Sequence, residues 1–133
     1  QRSLRQVKSI EDRIPAEDSG AEWSRMLDEA KLSADAGKWI EAAESLSALT
    51  KELDDFYSRV EETREMLEFL DEDWRKLRKR LESSGYGADD KDRISTERYL
   101  AAAERALSGG QIDDCLKSLG EADSSMELLR RLV

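Results

Sequence analysis

Apolar residues recur at alternating gaps of three and four from Trp39 through Ala42, Leu46, Leu49, Leu53, Phe56 and Val60, and then through Leu67, Leu70, Trp74, Leu77 and Leu81. Thr63 is the one polar member of this seam, and Lys38–Ser83 contains neither proline nor glycine. A heptad pattern held this long predicts one continuous helix with an apolar stripe along it. At ~1.5 Å per residue that helix would span roughly 70 Å, too long for the interior of a compact domain of 133 residues.

Shorter amphipathic segments flank it. Leu4, Val7, Ile10 and Ile14 predict a helix over residues 1–14, closed by Pro15, which disfavours helix in the residue before it. Ser19 and Glu22 have capping-box spacing and open a second helix over 19–36, with Trp23, Met26, Leu27, Ala30, Ser33 and Ala34 on one stripe. Gly37 supplies the left-handed residue after it. The small residues Ala30, Ala34, Ala42 and Ala43 would let two antiparallel backbones approach there. After the long helix, Ser83-Ser84-Gly85-Tyr86-Gly87 reads as a loop. Asp92 is the expected N-cap of a helix over 92–108, closed by Gly109-Gly110. A last stripe of Ile112, Cys115, Leu119, Ala122, Met126, Leu129 and Val133 predicts a helix over 111–133 with no stop signal.

The two hairpins match at an offset of 73 residues: Leu27 with Leu100, Ala30 with Ala103, Gly37 with Gly110, Trp39 with Ile112, Ala42 with Cys115 and Leu46 with Leu119. The register continues through Leu53 and Met126 to Val60 and Val133. One hairpin leaves a stripe exposed that a neighbouring element can cover. The expectation is therefore an all-α fold of elongated antiparallel three-helix bundles in tandem. Residues 1–60 form the first (helices 1–14, 19–36, 38–60) and 61–133 the second (helices 61–83, 92–108, 111–133), sharing one long helix.

The run Leu67-x-x-Leu70-x-x-x-Trp74-x-x-Leu77, followed by Leu81, resembles the spectrin-repeat family, as does a linking helix shared by neighbouring bundles. The resemblance implies a spectrin-like helical rod with a scaffolding, cytoskeletal role. Ala36-Gly37-Lys38-Trp39-Ile40-Glu41-Ala42 and Gly110-Gln111-Ile112-Asp113-Asp114-Cys115 are similar to the turns of tetratricopeptide repeats. Their spacing of 73 differs from the ~34 of that family.

Composition narrows the function. Charged residues make up 40% of the chain and aromatics 6%, which suits helical bundles. A net charge of −9 opposes general binding to nucleic-acid phosphates. No apolar run approaches the ~18 residues of a membrane span. A single cysteine rules out an internal disulfide framework and suits a reducing, cytoplasmic compartment. With no histidine, the commonest general base and metal ligand is missing. Carboxylates are abundant, but none stands beside a nucleophile or a glycine cradle, so no enzyme activity, cofactor or metal is expected. Asp89, Asp90 and Asp92 lack the spacing of a calcium loop and suit capping better.

Arg75, Lys76, Arg78, Lys79 and Arg80 cluster near the end of the long helix. They are candidates for docking an acidic partner or phosphate, or simply for complementing the helix dipole. Tyr86, in the glycine-rich loop, is the aromatic expected to be exposed and able to touch a partner. Trp23, Trp39 and Trp74 lie on their stripes and are expected in the core, as is Cys115 at the position equivalent to Ala42. The functional expectation is a non-catalytic scaffolding segment of a larger protein, spacing domains and binding protein partners. A peptide-binding helical adaptor, or a regulatory segment that self-associates through the long helix, is the alternative.

Overall fold

Three glycines set the punctuation of the chain. Gly37, Gly85 and Gly110 have φ of 82°, 91° and 73°, a region that side chains with a Cβ rarely enter. In each turn the following amide reaches back five residues, Lys38 to Ser33 at 2.8 Å, Tyr86 to Leu81 at 2.9 Å and Gln111 to Ala106 at 2.8 Å. The glycine's own amide bonds three residues back, to Ala34, Glu82 and Leu107 at 3.0–3.2 Å. This is the same helix-ending motif three times, and it satisfies carbonyls the helix would otherwise leave open.

The computed structural model describes residues 2–15 and 20–133. Those residues form α1 (Arg2–Arg13), α2 (Ala21–Asp35), α3 (Trp39–Ser83), α4 (Lys91–Ser108) and α5 (Ile112–Arg130), with no strand among them. The fold is all-α, as the periodicity requires. The expected capping box at Ser19 lies outside the described residues.

α3 is unbroken across its polar seam position. Thr63 is buried, and its hydroxyl donates to the Arg59 carbonyl at 2.7 Å. Bonding one turn back is how a hydroxyl is satisfied inside a helix. The N-cap of α4 is Asp90 rather than Asp92. Its backbone is extended and its carboxylate accepts from the amides of Asp92 at 3.0 Å and Arg93 at 3.2 Å. Asp92, two residues on, already carries helical backbone, so its side chain is past the point where capping works. α5 ends at Arg130, short of the expected Val133. The last amides bond back only three residues, Leu132 to Leu129 and Val133 to Arg130, the tightened form common at a helix end.

The chain divides into two compact units, Gln1–Ser58 and Arg59–Val133. In the first, Ile10 of α1, Leu27 and Ala30 of α2, and Leu46, Leu49 and Leu53 of α3 form the core. Polar contacts border it. Arg13 pairs with Asp54, Lys31 with Glu11, and the Trp23 indole donates to Glu52 at 3.1 Å. The hydrogen bond to Glu11 holds the Lys31 ammonium above its ordinary range. Trp23 also meets Phe56 edge-on at 4.9 Å, a favoured aromatic geometry.

In the second unit, Leu67, Trp74, Leu77 and Leu81 of α3 join Leu100, Ala103 and Leu107 of α4 and Cys115, Leu119, Ala122, Met126 and Leu129 of α5. Polar groups enter this core and find partners. The Thr96 and Ser125 hydroxyls lie 2.8 Å apart, and both approach the Asp92 carbonyl, at 2.9 and 3.2 Å. They tie α5 to the first turn of α4.

Candidate functional site

The basic cluster is a mixed-charge surface. Arg75 pairs with Asp71 at 3.0 Å and Lys76 reaches Glu72 at 4.0 Å, both one helical turn back. Such exposed pairs contribute a few tenths of a kcal/mol, on the order of 0.3–0.5. A shallow groove of about 410 Å³ along this face is lined by Glu68, Asp71 and Glu72 together with Arg75, Lys76 and Lys79. The acids one turn upstream thus neutralise the first half of the cluster. Lys79 and Arg80 are exposed and Arg78 is half-buried, with no ion pair to any of the three among the described residues. They occupy the last turns of α3, where the helix dipole favours cations.

Tyr86 does not stand out in solvent. It is half-buried against the core of the second unit, because the turn at Gly85 places it back over Leu81, the usual apolar contact of this helix ending. Its carbonyl accepts from Arg93 at 3.2 Å. Arg93 itself is a charged residue that periodicity does not flag. Its side chain is buried, with Glu82 at 3.4 Å and Glu97 at 3.9 Å, and its Nε is unpartnered. It links the end of α3, the loop and the start of α4. Only its place three residues after a capping aspartate hints at this in the sequence.

One of the three tryptophans departs from the expected core role, since Trp23 packs against the core of the first unit. Trp74 is 3% exposed, Trp23 is half-buried, and Trp39 is 62% exposed. Trp39 is the first residue of α3, and a helical side chain leans toward the N-terminus, away from the core residues that follow it. Cys115 is fully buried, and burial pushes its thiol above the ordinary range. A neutral, enclosed thiol is a poor nucleophile.

Among the exposed apolar side chains that sequence periodicity passed over, Met66 and Phe69 lie on adjacent turns off the α3 seam. They border a groove of about 550 Å³ between α3 and α5, with Glu62, Glu65 and Asp123 at its margin. A search for large apolar residues off the α3 seam finds this pair in the sequence together with Ile40 and Tyr57. Among the described residues no three metal-ligating side chains cluster, and no helix is long and apolar enough to cross a membrane.

No protein-family model matches the chain, and neither curated proteins nor solved structures give a significant match.

Proposed function

We propose that the chain is a non-catalytic scaffolding segment of a larger protein, built as two three-helix bundles in tandem that share α3. It spaces neighbouring domains and offers side faces to protein partners. The observation that carries this reading is α3 itself: 45 residues whose seam supplies Leu46, Leu49 and Leu53 to one core and Trp74, Leu77 and Leu81 to another. A helix used this way transmits spacing. The resemblance of the Trp74 run to spectrin repeats supports the same role. The absence of histidine and the neutral, buried Cys115 thiol favour a non-catalytic chain. The single cysteine suits a cytoplasmic setting. Lys79 and Arg80, exposed at the end of α3, suit an acidic partner.

Small-angle scattering with a light-scattering mass tests the reading. The expected result is a monomer whose largest dimension is at least ~65 Å, the length of α3 alone. A radius of gyration near ~14 Å, that of a compact chain of this length, overturns the spacer role. A dimer whose mass halves on making an exposed α3 residue polar would favour the self-associating alternative.

A further inference from the structure

We propose that the groove between α3 and α5 of the second unit is a docking site for a basic amphipathic helix of a partner protein. The proposal rests on the scaffolding reading and names the partner's chemistry. Three observations converge on the groove. Phe69 and Met66 are 67% and 53% exposed on adjacent turns of one face of α3. Large apolar side chains side by side in solvent mark an interaction surface when polar groups rim them.

The rim has one sign. Glu62, Glu65 and Asp123 border the groove and no basic residue does. Arg64, Lys117 and Arg130 lie outside this lining, and the two arginines are engaged with acids. Arg64 pairs with Glu61 at 3.0 Å, and Arg130 divides itself among Asp73, Glu127 and Asp123, the last at 3.7 Å. Glu62 and Glu65 have no ion-pair partner among the described residues. An apolar floor with an acidic margin complements a helix whose apolar stripe is flanked by lysine or arginine. With a net charge of −9, a second copy of this chain is a poorer match.

The third observation is Gly120. It sits in the middle of α5, borders the groove, and a Cβ added there would meet nothing within 4 Å. Glycine inside a helix is about 1 kcal/mol less favourable than alanine. The chain's own packing gives no reason for it, whereas an incoming helix needs a low wall for close approach.

The test uses the whole chain and a fluorescein-labelled two-heptad peptide of the repeat Leu-Lys-Lys-Leu-Leu-Lys-Leu, read by fluorescence anisotropy. A matched peptide with glutamate in place of lysine is the control. The expected result is saturable binding of the lysine peptide and none of the glutamate peptide. Phe69→Ala and Gly120→Leu should each weaken binding about tenfold or more, the first by removing an anchor and the second by filling the groove. Both positions are exposed, so far-UV circular dichroism should be unchanged.

No binding overturns the proposal. So does lysine-peptide binding that neither variant weakens, which is charge attraction without a groove. A wild-type dimer in sedimentation that Phe69→Ala dissociates makes a second copy the occupant and overturns the assignment to a basic partner. Scattering keeps the readings apart: lost peptide binding in an extended monomer removes this site alone, and a compact particle removes the spacer role alone.

Discussion

The hairpin of α2 with the start of α3 and the hairpin of α4 with α5 carry the same pattern 73 residues apart, yet they close differently. Position by position, burial agrees over most of their length. Leu27 and Leu100, Ala30 and Ala103, Ala42 and Cys115, Leu46 and Leu119, Leu49 and Ala122, and Leu53 and Met126 are all buried. The agreement fails beside the turns. Ile112 is 5% exposed, whereas its counterpart Trp39 lies largely in solvent.

A third helix borders the second turn. In the second unit the early part of α3 flanks the α4–α5 turn. Arg64, Leu67 and Glu68 border the same groove as Leu107 and Ser108, and Arg59 pairs with Asp113 at 3.1 Å. At the first turn, Trp39 opens α3 with its ring largely in solvent. A repeated pattern specifies which face is apolar. It does not specify how far a neighbour extends along that face.

The three tryptophans test this most strongly. Trp74→Ala empties a fully enclosed site and should cost the second unit about 3–5 kcal/mol. Trp23→Ala removes a half-buried ring and one edge-on contact, and should cost the first unit about 2 kcal/mol. Trp39→Ala should stay within about 0.5 kcal/mol of wild type. Hydrogen–deuterium exchange read peptide by peptide lets each unit report its own stability. Equal costs at Trp39 and Trp74 would break the comparison.

The turn glycines should behave alike where the tryptophans differ. Gly37→Ala and Gly110→Ala each force a Cβ into the left-handed region, at a cost of about 1–2 kcal/mol. Matching losses in α2 and α4 protection would confirm that the two turns are equivalent. A loss at one turn alone would show that the repeat is confined to the stripes.

The smallest effect separates Cys115 from Ala42. Burial raises the folded thiol above its ordinary value of 9.0. The folded state then holds the proton more tightly than the unfolded state. The associated stability is complete below the ordinary thiol value and is lost as pH rises through the folded one. Denaturant melts under reducing conditions, on either side of that window, should show the second unit weakening. Cys115→Ala, which installs the residue found at the equivalent Ala42, should flatten that part of the slope. An unchanged slope would mean that the thiol is not the group responsible.

The sequence alone determined the helices, because a three–four spacing can be buried only as one face of a helix. It also determined where two hairpins turn, since Gly37 and Gly110 can take a conformation other residues resist. The seam residues from Ala42 to Leu53 and from Trp74 to Leu81 were legible for the same reason. The candidate sites were less so. The cations at 75–80 are visible, as are Asp71 and Glu72 one turn upstream, and the pairs form at that spacing. A loop position predicts Tyr86 in solvent, whereas the turn geometry leaves it half-buried against the core. Asp90 rather than Asp92 caps α4, a choice of two residues that the backbone makes. The burial of Arg93 and the groove beside Phe69 depend on tertiary structure, although the residues themselves can be picked out in the sequence. Periodicity tells which residues share a face, while burial, exposure and a groove depend on what another helix places beside that face.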